Sequence, residues 1–207
     1  MGNDTLDTTG TVFNEANGGL GDDLFRTKGA GNYLFGGDGN DTLSVATIAT
    51  NMQINLERYY AREAGANQSD FVLGIENVIG GSANDRITGN RFMNHLEGGS
   101  GNDRMLGRDG NDSVSGGSGL DILGGNDGDD TLSGEAGDDF IRGGQGDDIL
   151  KGDDGNDRLE GGDGIDVIDG GAADDIIDGG AASDTIVGGA GADVIDGGTG
   201  ADTITGS

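Results

Sequence analysis

From residue 98 onward, one hydrophobic side chain returns every nine positions: Met105, Val114, Leu123, Leu132, Ile141, Leu150 and so on to Ile204. Most positions between them are polar or glycine. Nine residues make two and a half helical turns, so this pattern cannot mark one face of an α-helix. It fits a strand, because side chains alternate across a strand and the central one can point inward while its neighbours point out. The spacing predicts a three-residue strand followed by a six-residue turn, repeated without a break. Two such units then close one coil. Six coils at about 4.8 Å per step give a rod of roughly 30 Å.

Two further columns keep the same phase. A glycine opens each unit, from Gly98 to Gly197. The sixth position is aspartate in all twelve units: Asp103, Asp112, Asp121, Asp130, Asp139, Asp148, Asp157, Asp166, Asp175, Asp184, Asp193 and Asp202. The fourth position is glycine except at Ala173 and Ala182. Columns locked together from Gly98 to Thr205 are an internal repeat, not a compositional accident. The register extends upstream through Asp85 and Ile87, then degenerates: Asn94 replaces the aspartate beside Leu96, and Glu76 stands in the acidic column beside Val78. A separate block over 18–44 carries Asp23, Asn32 and Asp41. Residues 45–70 break the period. There Met52, Ile54 and Leu56 alternate, which predicts a strand or hairpin packed beside the repeats, with a short helix over 56–64 as the alternative. The chain thus divides into a short repeat block (1–44), a non-repeat β excursion (45–79) and a main repeat block (80–207).

Composition changes the picture in one respect. Acids number 39 against 11 bases, a net charge of −28, and only 32% of residues are hydrophobic. Low hydrophobicity with high net charge is the signature of disorder. The absence of cysteine excludes a disulfide framework and thiolate metal or redox sites. The absence of proline excludes collagen despite 47 glycines. No apolar run is long enough to span a membrane as a helix. The acidity argues against nucleic acid as a partner, because phosphates repel carboxylates.

The periodicity and the charge together imply a cation. Units one coil apart stack, so Asp103 lies over Asp121, Asp139, Asp157, Asp175 and Asp193, and Asp112 heads a second column through Asp202. Like charges about 5 Å apart repel strongly once water is partly excluded. Turn carbonyls beside them add hard oxygen donors, and a flexible cage of oxygens selects Ca²⁺ over Mg²⁺. A single histidine and no cysteine leave little for softer metals.

The units GGSGNDRML (98–106), GGQGDDILK (143–151) and GGDGIDVID (161–169) match GGxGxDxUx. In this the chain resembles the RTX, or hemolysin-type calcium-binding, nonapeptide family; the motif is a known Ca²⁺-binding β-helix repeat. The resemblance implies an all-β, right-handed parallel β-roll (a β-solenoid) with two nine-residue units per coil. It implies that one turn gives each ion the carbonyls of positions two and four and its aspartate. The turn one coil on gives the carbonyls of positions one and three and its own aspartate. Carried onto this chain, one site takes Gly117, Gly119 and Asp121 with Gly134, Ala136 and Asp139. Another takes Gly144, Gly146 and Asp148 with Gly161, Asp163 and Asp166. The same rule assigns ligand roles to Gly99, Gly101, Gly128, Gly155, Gly162, Gly164, Gly179, Gly189, Gly191 and Gly197. The pairs Asp85/Asp103 and Asp23/Asp41 extend the set to ten to twelve ions, and twelve would bring −28 to −4. Ala173, Ala182, Asn94 and Asn32 depart from the motif and are expected to strain or weaken their sites.

Further expectations come with the resemblance. Such modules belong to bacterial proteins exported unfolded by type I secretion, which fold outside the cell on meeting calcium. The expected partners are therefore calcium ions, other domains of a parent protein and the type I secretion machinery. Gly2 falls mid-unit, and Gly206 and Ser207 open a thirteenth unit, so the chain reads as a module excised from a larger secreted protein. No catalysis is expected. His95 is alone, no HExxH is present, and paired acids such as Asp129/Asp130 already occupy turn positions. The alternative is a recognition or adhesion module, with Ile122 beside Phe140 and Ile149 beside Val167 as outward apolar ladders, although no aromatic platform is apparent. An ice-binding solenoid is a further alternative, which would need a regular outward threonine or Asx array.

Overall fold

The computed structural model describes residues 2–9, 14–28 and 31–206. Among these there is no helix; two long sheets face each other, one of eleven strands and one of twelve. Successive repeat units alternate between the sheets, and each strand pairs in parallel with the strand two units on: Ile122 with Phe140, Phe140 with Arg158, Ile149 with Val167. The expected parallel β-solenoid with two units per coil is what the chain forms.

The strands are longer than the hydrophobic spacing predicts. Arg104–Asp109 and Ile149–Asp154 are typical, six residues each, leaving only three for the turn. The ladder runs through the first three positions of the next unit, so Arg108 pairs with Asn126 and Asp109 with Asp127. The hydrophobic pattern could not show this extension, because glycines there satisfy backbone bonds without contributing a core side chain.

The core is a double file of position-eight side chains. Leu96, Leu132, Leu150 and Ile168 from one sheet meet Met105, Ile141 and Leu159 from the other, all fully buried. One such residue per nine is a thin core. The backbone ladders and whatever fills the turns must supply much of the remaining order.

The excursion lies within the repeats, not beside them. Met52–Asn55, Tyr60–Glu63 and Asp70–Leu73 form an antiparallel meander inside the twelve-stranded sheet. Its outer strands join the neighbouring repeat strands in parallel, Tyr33–Asp38 on one side and Arg86–Thr88 on the other. In the opposite sheet, Thr42–Ser44 pairs directly with Asn77–Ile79. Three strands thus stand in one sheet where a regular coil would put one. Residues 56–59 form a turn, so the helical alternative over 56–64 does not occur.

Candidate metal centre

Each position-six aspartate sits just before a strand, at the corner where the turn re-enters the sheet. Its Oδ1 accepts a hydrogen bond from the backbone N–H of the aspartate one coil earlier. Thus Asp103 donates to Asp121 at 2.7 Å, Asp130 to Asp148 at 2.8 Å and Asp166 to Asp184 at 2.9 Å. The bond lengthens to 3.1 Å where Asp175 donates to Asp193 and Asp184 to Asp202, in the last, more exposed coil. One oxygen per carboxylate is therefore committed to holding adjacent coils together.

The other oxygen has no partner. Among the described residues, twelve buried Oδ2 atoms lack any hydrogen bond: those of Asp23, Asp41, Asp112, Asp130, Asp148, Asp166 and Asp184 along one edge, and Asp103, Asp121, Asp139, Asp157 and Asp175 along the other. Buried polar atoms are normally satisfied, so a ruled series of orphans calls for an absent ligand. Each lies over the opening glycine of its own unit. A Cβ on Gly116 would come within contact of Asp121 Oδ2 and stand 2.9 Å from the Gly134 carbonyl of the next coil. Gly134, Gly161, Gly179 and Gly197 stand in the same relation to Asp139, Asp166, Asp184 and Asp202. Carboxylate and carbonyl oxygens thus converge on small cradles that any side chain would fill.

The remaining predicted donors also face the gaps between coils. A Cβ on Gly117 or Gly119 would collide with the carbonyl of Gly99 or Gly101 one coil earlier, so these carbonyls point forward along the roll. The carbonyls of Ala136 and Asp163 point back, accepting from Gly119 N–H and Gly146 N–H at 2.8 Å each. Positions two and four adopt positive φ throughout, including Gly128, Gly144, Gly155, Gly162, Gly164, Gly189 and Gly191. Ala173 and Ala182 are held at φ +78° and +85°, a region that disfavours a Cβ, so the departures noted from sequence are strained here.

Among the described residues no three acidic or histidine side chains converge on one point. This fits a donor set made largely of backbone carbonyls, with one or two carboxylates per position. An all-oxygen, flexible, anionic set suits Ca²⁺.

Desolvation dominates the electrostatics. Burial pushes Asp103, Asp112, Asp130, Asp139 and Asp148 up to about 7, opposed by the backbone hydrogen bond each accepts and reinforced by neighbouring acids. Asp157 and Asp166 are raised to about 6 for the same leading reason. Without a cation the folded coil therefore holds protons that an unfolded chain releases near the ordinary value of 3.8. Fold stability in chelator must then rise as pH falls through about 7 toward 4, since the folded state binds the extra protons. In EGTA, strand signal in far-ultraviolet circular dichroism is expected to grow between pH 7.5 and pH 5 (roughly the span of these titrations). A flat profile would contradict the burial of these carboxylates.

The degenerate coils satisfy themselves. Asp85 accepts from Met52 N–H at 2.7 Å and Gly81 N–H at 2.8 Å, so neither of its oxygens is open. Asn94 donates its amide to the Glu76 carbonyl at 3.0 Å and accepts from Asn90 N–H. The meander lengthens the step to Glu76, which the sequence placed in the acidic column, and adds Asp70, which a count by coils misses. Glu76 accepts from Asp41 N–H, 35 residues away, and Asp70 accepts from Asn32 and from the Thr27 hydroxyl. A second ladder on the turn surface also went unread. Position-five side chains such as Asn102, Asp129 and Asp147 accept from backbone N–H groups one coil later. The frequent Asn and Asp at that position were the available signal.

Fold and donor set together define a cation-binding β-solenoid of nonapeptide units. The chain belongs to the RTX calcium-binding nonapeptide repeat family, whose profile matches residues 15–45, 73–91, 88–123, 124–159, 151–186 and 178–207. It is a module that binds multiple Ca²⁺ ions on a structural calcium-binding fold. Among solved structures it is similar to a hyperactive, Ca²⁺-dependent, β-helical antifreeze protein from an Antarctic bacterium. The identity is 18% and the TM-score 0.41, over 98% of this chain and 83% of that one. No curated protein matches. Among the described residues no helix is long and apolar enough to cross a membrane.

Proposed function

We propose that this module is a calcium-triggered folding unit, disordered without Ca²⁺ and ordered by ten to twelve ions, within a larger bacterial protein exported by type I secretion. The observation that carries this reading is the set of twelve buried, partnerless carboxylate oxygens among the described residues, one at each repeat corner from Asp103 to Asp184 and two more at Asp23 and Asp41. Low calcium inside a cell would keep the chain extended for export, and calcium outside would fold it. Each ion bound only by the folded state adds stability by mass action. Asp23 and Asp41 make the N-terminal block a partner in this, whereas the self-satisfied Asp85 makes the lower end of the ion count the better supported one.

The test is calcium stoichiometry by isothermal titration on the intact chain and on Asp148→Ala. Asp148 stands between Asp130 and Asp166, so the variant is expected to lose about two ions, those of the two gaps its carboxylate borders. An unchanged count would sink the shared-carboxylate scheme.

An ice-binding role finds no support in the outward rows. One reads Arg104, Ile122, Phe140, Arg158, Ile176, Val194, and the other mixes Ser113, Ile149 and Val167 with threonines, so neither is a regular array.

A further inference from the structure

Five of the 11 bases in this acidic chain gather on the outer face of the twelve-stranded sheet where the meander meets the roll: Arg58, Arg62, Arg86, Arg104 and Arg108. Arg86 and Arg104 are directly opposed across the parallel ladder, and both are exposed. Like charges in that relation destabilise a sheet. With 39 acids available, neither makes an ion pair among the described residues, nor do Arg58 and Arg108. Arg108 occupies position two at φ +100°, where a Cβ is disfavoured and glycine is common in the other units.

These arginines border a concavity. Arg58, Arg86 and Arg108 line an open groove of about 770 Å³ together with Tyr60, Asn55 and Asn126; Glu57 and Asp109 are the acids on its rim. Beside the groove, across the pairing of its Tyr60 with Phe71, lies an aromatic cluster that the sequence did not reveal. Tyr33, Phe35, Phe71 and Tyr59 have neighbouring ring centroids 5.9–6.5 Å apart, and Tyr33, Tyr59 and Phe71 are 44%, 46% and 36% exposed. Tyr60 pairs with Phe71 and lies 5.4 Å beneath the Arg62 guanidinium, linking the aromatic half of the face to the basic half.

We propose that this face binds a linear, carboxylated polysaccharide, with sugar faces stacked on Tyr33, Tyr59 and Phe71 and carboxylates held by Arg58, Arg86 and Arg108. Guanidinium forks match carboxylates, and half-exposed aromatic rings offer flat apolar surface. A concave trough admits a thin chain and excludes the flat surface of a bilayer. A nucleic acid brings a phosphate at every nucleotide against a −28 chain, whereas a uronate chain spaces its charges with apolar ring faces between. The binding role goes beyond calcium-linked folding and uses that fold only as a scaffold.

The test is isothermal titration of the whole chain with a hyaluronan octasaccharide in saturating CaCl₂, with circular dichroism verifying the fold of each variant. Salt-sensitive binding is expected. Arg58→Gln/Arg86→Gln should weaken it about tenfold or more, the loss of at least one charge-assisted hydrogen bond. Tyr59→Ala should weaken it severalfold without changing its salt dependence, and serves alone if the arginine variant does not fold. Lys151→Gln, on the opposite sheet, should leave it unchanged. Absent binding, equal binding by the variants, or equal capture of polyaspartate or phosphatidylglycerol vesicles through the same arginines would overturn the proposal. Strand structure and octasaccharide binding that both persist in EGTA would overturn the calcium reading and leave this one standing.

Discussion

Removal of Ca²⁺ with EGTA at neutral pH is expected to abolish the strand signal of this chain in far-ultraviolet circular dichroism, and CaCl₂ is expected to restore it in one cooperative transition. Two observations set the size of the effect. The hydrophobic core is one side chain per nine residues, stacked in a double file. Alongside it run the buried carboxylates, with successive members of each column bonded coil to coil. Two unit charges about 5 Å apart interact by about 3 kcal/mol even at an effective dielectric constant near 20. That repulsion recurs at every step of both columns. Protons relieve part of it, as the raised values near 7 show, but at neutral pH only partly. Divalent cations bound between the coils would relieve it and satisfy the open Oδ2 atoms. Cooperativity follows because each interior carboxylate borders two gaps. A strand spectrum that survives excess EGTA at about pH 8, where these carboxylates lose their protons, would falsify the linkage.

Gly143→Ala is expected to damage the middle of the roll severely for a single added methyl group. A Cβ there would collide with Asp148 Oδ2 and stand 2.7 Å from the Gly161 carbonyl. Neither atom is the free end of a flexible side chain. One belongs to a carboxylate whose Oδ1 is tied to Asp130 N–H, and the other is backbone. The methyl therefore fills a donor cradle in the middle of the roll and pushes adjacent coils apart. Strain of this kind costs about 1–3 kcal/mol by itself, occasionally more, and the disturbed ion sites add to it. The expected readouts are a lower midpoint in urea at saturating calcium and a loss of bound ions. By contrast, Gly2→Ala meets nothing within 4 Å and should be silent in both measurements. Equal behaviour of the two variants would contradict the cradle geometry.

Much of this was legible in the sequence because the repeat is strict. A hydrophobic residue every nine positions, with an aspartate two positions before each, fixes strand, corner and coil length from local information alone. The inward file from Met105 to Ile186 and the coil-to-coil stacking follow from alternation and the two-unit coil. The reading weakened wherever the repeat did. Asp85 carries the right residue in the right column, yet its oxygens are taken by Met52 and Gly81, because the inserted strand brings Met52 beside it. Asp70 was passed over as a member of the columns because the insertion spoils the count, whereas Glu76 keeps the phase of its own unit and was placed in the acidic column from sequence.

By itself, then, the sequence determined the parallel solenoid, its register and its two carboxylate columns, since each rests on contacts between residues a constant two units apart. Tertiary structure alone decided where residues 45–70 go and what they assemble. Entering the sheet as a meander sets Tyr59 beside Phe71, 12 positions on, and Arg62 beside Gln53, itself paired with Arg86, 33 positions on. No period in the chain encodes those distances. They follow from backbone hydrogen bonding, which drew the irregular segment into the open edges left between Tyr33–Asp38 and Arg86–Thr88.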